Sequence, residues 1–162
     1  MTSIMSSDAA VSIKLVCFTV AGERFGLGLD RVERVLSMVA LSPLPGGPNS
    51  LLGVFNMRGR IVPVLDIRRR LGLPGPGYSV TSLLVVARTR SATVALPVDA
   101  VTGVREFLPD ALIATESLIL GVHQVKGIII LADGLLFVQD LDAFLSSEEE
   151  RQLAEALGVE QE

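Results

Sequence analysis

The chain has 162 residues, a formal net charge of −4, 49% hydrophobic residues and 20% charged residues. That balance excludes a disordered chain, and an acidic chain with no Lys/Arg block, no Trp and one Tyr is poorly suited to phosphate backbones or base stacking. One cysteine (Cys17) and one histidine (His123) allow no internal disulfide, no cysteine zinc cluster and no two-histidine metal motif.

Residues 1–13 lack a basic segment followed by an apolar run, so a flexible N-terminus without a signal peptide is expected. Mean hydropathy is high, +0.54, yet apolar runs such as Ile128 to Ala132 fall far short of the ~20 residues needed to cross a bilayer. The apolar material must lie in several short buried elements of a cytoplasmic protein. Leu15 to Val20 and Arg24 to Leu29 read as strands around an Ala21-Gly22-Glu23 turn. Val54 to Met57 and Ile61 to Leu65 flank Arg58-Gly59-Arg60, and Leu83 to Ala87 and Thr93 to Val98 flank a third turn. Ile128 to Leu131 and Leu135 to Val138 flank Ala132-Asp133-Gly134, where Asp-Gly predicts a type I′ turn. Pro63 and Pro97 predict strand edges or bulges, because proline gives no ladder donor. Helices are brief. Asp66 caps Ile67 to Leu71 with Gly72 as the stop, and Ser147 with Glu150 forms a capping box before the Leu153/Leu157 stripe.

The second half repeats the first. Arg24 to Val35 aligns with Thr93 to Val104 at an offset of 69, pairing Leu27/Leu96, Asp30/Asp99, Val32/Val101 and Val35/Val104. Leu52-Gly53-Val54 aligns with Leu120-Gly121-Val122 at an offset of 68, which sets Arg58 against Lys126. Val64 to Ile67 aligns with Val138 to Leu141 at 74, the extra residues being assigned to a longer hairpin around Asp133-Gly134. Each copy reads as strand, turn, strand, an Asp-started short helical turn, then a second hairpin and a helix. Around a Gly/Pro connector at 72–77, this predicts two small barrels of about five strands each, sharing a large apolar interface.

No catalytic constellation emerges. Gly26-Leu-Gly28 lacks the rest of a dinucleotide fingerprint, and the 72–77 stretch lacks the Lys-Ser/Thr of a P-loop. His123 stands opposite Phe55 in the alignment, which favours packing or surface over chemistry. Cys17 reads as a small buried thiol, Glu148 to Glu150 as an acidic helix start, and Arg68 to Arg70 as a solvated basic face, with a contact patch as the alternative. No cofactor or metal is expected, and the chain is not expected to be an enzyme.

Asn56-Met57-Arg58-Gly59-Arg60-Ile61-Val62-Pro63-Val64-Leu65-Asp66 resembles the CheW-like signature N-x-R-G-x-[IV]-x-P-[IV]-x-D. The resemblance runs from Lys14 to Leu157 and includes Phe18 to Leu29, Val32 to Val35 and Leu52-Gly53-Val54. It implies a mostly β fold: two intertwined five-stranded SH3-like barrels with short helices and a C-terminal helix. The domain would span 14–157, with a first barrel over about 14–72, a second over about 80–145 and the helix at 147–157. It also implies a non-enzymatic coupling role. The helical cytoplasmic tip of methyl-accepting chemoreceptors would lie in an apolar groove between the barrels, and the regulatory domain of a CheA-type histidine kinase would dock mainly on the first. The protein would be recruited to membrane-associated receptor arrays without inserting into the membrane, and would bind no nucleic acid.

Carried over by position, the resemblance implies partner-binding roles for Val32, Gly53 and Arg58. Each has a structural alternative: Val32 as a core residue of a short helix, Gly53 as a close-packing glycine and Arg58 as an exposed hairpin charge. The family pattern V-x-E-[IV] is broken, since Arg34 occupies the acidic position. Either Glu33 supplies the acid through a register shift, or Arg34 and Arg58 both face carboxylates of a partner. Two functional alternatives stay open: coupling in a non-flagellar array serving pili, development or a second messenger, and a small-molecule sensor using the groove.

Overall fold

The computed structural model describes residues 12–73, 75, 77–114 and 125–158. Eleven strands occur among them: β1 (Ile13–Val20), β2 (Glu23–Gly28), β3 (Val32–Ser37), β4 (Leu51–Met57), β5 (Arg60–Leu65), β6 (Leu83–Arg88), β7 (Thr93–Val98), β8 (Ala100–Phe107), β9 (Leu112–Ala114), β10 (Val125–Leu131) and β11 (Gly134–Gln139). Two helices join them, α1 (Ile67–Leu71) and α2 (Ser147–Leu157). The short helical turn read after Asp30 is a single 3-10 turn, Leu29–Arg31, and Val32 opens a strand.

The strands form two sheets, in the orders β3-β6-β7-β5-β4 and β8-β1-β2-β11-β10-β9. Each closes through one bent stretch of chain. After β3, Met38 N–H donates to the Ser82 carbonyl, and Ser42 exchanges both backbone hydrogen bonds with Val54 on β4. In the other sheet β8 flanks β1 while β9, its continuation past a 3-10 turn at Pro109–Ala111, flanks β10. Counting β8 and β9 as one bent strand, each barrel has five. We call the first barrel I and the second barrel II.

The expected division into 14–72 and 80–145 is not how the strands pair. Each barrel takes its leading hairpin from the opposite half: β6-β7 completes β3-β4-β5, and β1-β2 completes β8 to β11. The duplication itself governs the register. Gly26 pairs with Val138 across the parallel β2–β11 seam, and Ala95 pairs with Val64 across β7–β5. Bulges recur at equivalent places, between Val32 and Arg34 opposite β6, and opposite Cys17/Phe18 on β8. One sequence alignment needs correction. Gly127 faces Val138 as Gly53 faces Val64, each beside a bulge, so the counterpart of Gly53 is Gly127 and the offset is 74. Leu120 to Gln124, including His123, lie outside the described residues. Both second hairpins then have the same length, and the counterpart of Arg58 is Ala132 rather than Lys126.

The Asp133-Gly134 turn also differs from expectation. Leu131 pairs with Gly134, so Ala132-Asp133 are central, and neither has positive φ. The I′ pattern appears instead at Ala21-Gly22 (φ 54°, 82°) and Arg58-Gly59 (φ 53°, 90°). Pro63 and Pro97 lie in inner strands, not edges. They are tolerated because β5 and β7 share a single paired position, Val64 with Ala95, leaving few ladder bonds to lose.

Alternation sorts the apolar side chains into three cores. Phe55, Met57, Val62, Val64, Leu84 and Val86 fill barrel I. Leu15, Cys17, Ile129, Leu136 and Val138 fill barrel II. A cluster of fifteen buried residues, including Phe18, Phe25, Val85, Leu96, Phe144 and Leu153, joins the barrels and α2. Burial pushes the Cys17 thiol pKa up, as expected for an inert sulfhydryl.

Candidate protein-binding surface

The rim of barrel I is built by the ends of five strands: the start of β3, the end of β6, the starts of β7 and β5, and the end of β4. The β4–β5 hairpin is held by Asn56, whose Oδ1 accepts from Gly59 N–H at 2.7 Å. This fixes Arg58 at the exposed tip, in a left-handed conformation that costs a side-chain-bearing residue about 1–2 kcal/mol. Arg60, on the inward face with Met57, reaches across the opening to the Glu33 carboxylate at 3.0 and 3.2 Å and to Thr93 Oγ1 at 3.4 Å.

The β3 bulge explains that pairing. Glu33 is the extra residue between Val32, opposite Ala87, and Arg34, opposite Val86. Val86 belongs to the barrel I interior, so Arg34 points into the barrel mouth. Its Nε is buried and donates to no acceptor among the described residues. Val32 faces the other way and is partly buried against the core between the barrels. Glu33 thus does supply an acid, but to Arg60 rather than to Arg58. Arg60 escaped the sequence reading because nothing in a one-dimensional pattern reveals a bulge.

Three of the four candidate residues, Val32, Arg34 and Arg58, therefore meet at one end of barrel I. Gly53 does not. It is buried back along β4, and a Cβ there would stand 2.7 Å from the Ser42 carbonyl oxygen and 3.1 Å from Leu41 Cβ. Nearby, Arg31 forks onto Asp142 at 2.7 and 3.1 Å, and Arg90 N–H reaches the same carboxylate at 2.8 Å. The Arg31 hydrogen bond, aided by Arg90 N–H, holds the Asp142 carboxyl below the usual carboxylate range despite the opposing effect of burial.

Arg68 to Arg70 do not form a solvated face. Arg68 pairs with Asp99 at 3.0 Å, Arg69 donates to the Asn49 carbonyl at 3.0 Å, and Arg70 pairs with Glu149 of α2 at 2.8 Å. The α2 cap sits one residue before the expected one: Ser146 and Glu149 form the reciprocal box. Between α2 and the β5 and β7 strands of barrel I lies a cleft of about 580 Å³ lined mainly by aliphatic groups, among them Leu65, Val94, Leu145 and Leu157. Among the described residues no group of His, Cys, Asp and Glu is placed to hold a metal ion, and no helix is long and apolar enough to cross a membrane.

Two interlocked barrels with an arginine-bearing rim define a double SH3-like barrel module. Residues 14–149 match the CheW-like domain, and the chain belongs to that family. It is 28% identical over 141 residues to the chemotaxis protein CheW of Rhizobium meliloti, covering 84% of this chain and 89% of the relative. It is 33% identical over 131 residues to protein FrzA of Myxococcus xanthus, covering 76% and 81%. The crystal structure of scaffolding protein TtCheW from Thermoanaerobacter tengcongensis superposes with a TM-score of 0.76 at 26% identity, covering 85% of this chain and 94% of that one.

Proposed function

We propose that this chain is a non-enzymatic coupling scaffold that links methyl-accepting chemoreceptors to the regulatory domain of a CheA-type histidine kinase. The observation that carries the reading is the shared double-barrel fold with a solved scaffolding protein over 85% of the chain. In this reading the kinase regulatory domain docks on barrel I at Val32, Arg34 and Arg58, with Gly53 holding that surface in shape from behind. The receptor's helical tip lies along the apolar seam between the barrels. The cleft between α2 and barrel I is likewise open and mainly aliphatic, a lining that suits an apolar helix better than a small polar ligand. The protein works in the cytoplasm, at membrane-associated receptor arrays.

The test is reconstitution with a receptor cytoplasmic fragment and the kinase from the same cell. The full chain is expected to bind each alone and to hold both in one complex, with kinase activity rising only when all three are present. Failure to bind either partner would reject the reading. A second reading, coupling in a non-flagellar array, is favoured by the 33% identity to FrzA. Deleting the gene would then alter an output other than swimming.

A further inference from the structure

Most arginines of this chain are committed internally. Arg24 pairs with Asp133, Arg31 with Asp142, Arg60 with Glu33 and Arg70 with Glu149. Arg34 and Arg58 are not: neither makes an ion pair among the described residues. They occupy the same rim of barrel I, where two nearby acids are engaged elsewhere. Glu33 is diverted by the bulge to Arg60, and Asp142 is held by Arg31 and Arg90 N–H. Arg88, at the end of β6, adds a further cation, and among the described residues its side chain reaches only the Asp30 carbonyl, at 3.4 Å. The net charge of −4 therefore hides a local reversal, with positive charge concentrated at one barrel mouth.

Two features show that this charge is aimed. The Arg34 Nε is buried and finds no acceptor among the described residues, so this N–H lacks the hydrogen bond that normally compensates such burial. Arg58 is exposed at the tip of a tight turn, in a left-handed backbone conformation next to the Asn56–Gly59 hydrogen bond. A guanidinium in a partly desolvated setting prefers a planar, bidentate carboxylate.

We propose that the open end of barrel I is a receiving site for an acidic side chain of the kinase regulatory domain, with Arg34 and Arg58 as its two cationic contacts. This rests on the kinase docking proposed above and supplies its chemistry. An Asp or Glu carboxylate enters the mouth, accepts from Arg34 and is flanked by Arg58, while Val32 gives the apolar border toward the seam.

The test titrates full-length chain into the purified kinase regulatory domain at several salt concentrations, with the receptor cytoplasmic fragment as a parallel arm. Arg34→Gln and Arg58→Gln should each weaken kinase binding at low salt by about tenfold or more, and flatten its salt dependence. Arg58→Lys should keep most of the affinity. Receptor binding should stay within about twofold of the parent. Wild-type protein that binds no kinase domain would reject the docking reading and this inference with it. Wild-type binding with both glutamine variants unchanged in affinity and salt response would overturn this inference alone. So would a loss confined to the receptor arm. Should Arg34→Gln fail to fold, the exposed Arg58→Gln variant decides by the same criteria.

Discussion

At the scale of single residues, the contacts that hold the barrels in shape are distinct from those offered to a partner. Gly53 and Gly127 are equivalent in the two halves, and each lies against a carbonyl of the strand that closes its barrel, Ser42 in one and Ile113 in the other. A Cβ at Gly127 would come within 2.5 Å of the Ile113 oxygen. Gly53→Ala and Gly127→Ala should therefore each destabilise the fold by about 1–3 kcal/mol. Urea midpoints measure this, and an undiminished midpoint in either variant would contradict the closing contact. Asp142 makes a different prediction. Its pKa is lowered in the folded state, so the unfolded chain takes up that proton at a higher pH. Its contribution is complete above the ordinary carboxylate range and fades as pH falls through the lower folded value. Asp142→Asn should lose stability at neutral pH and show a shallower acid decline than the parent, read from denaturation curves across the acid range.

Among the elements, α2 is the most exposed to disruption, because it is held by one buried leucine, a capping box and the Arg70–Glu149 pair. Leu153→Ala should cost about 2–5 kcal/mol and widen the adjoining cleft. Hydrogen exchange should then quicken in α2 ahead of the sheets; uniform exchange would argue against a separately held helix. The elements also show what could be read in advance. The hairpins at Ala21-Gly22 and Arg58-Gly59 were legible because turn chemistry is local. Strands β3 and β8 were not, since Val32 to Val35 carries two valines at a spacing that also suits a helix. Their strand form comes from pairing with β6 and β1, which is tertiary information. The Leu120-Gly121-Val122 alignment misled because three common residues matched by composition, whereas the operative constraint is Gly127 meeting a carbonyl from another strand. The rim was half legible. Arg58 stands at a position of the CheW-like signature and Arg34 breaks the V-x-E-[IV] pattern, so both are legible through the resemblance, but the bulge that diverts Glu33 to Arg60 leaves no trace in the pattern.

For the whole molecule, the exchange of leading hairpins matters most. Neither half of the chain contains a complete barrel, so residues 1–73 or 78–162 produced alone should stay unfolded by circular dichroism and amide dispersion. Mixed, they should fold as an equimolar pair; a half that folds unaided would contradict the strand order. Because the leading hairpin β6-β7 reaches its host barrel through the 72–82 connection, that connection sets how far it can travel. Shortened, it could no longer turn back. The hairpin would then seek the vacant berth in a sister chain, and two molecules would clasp arms using only bonds that one now makes with itself.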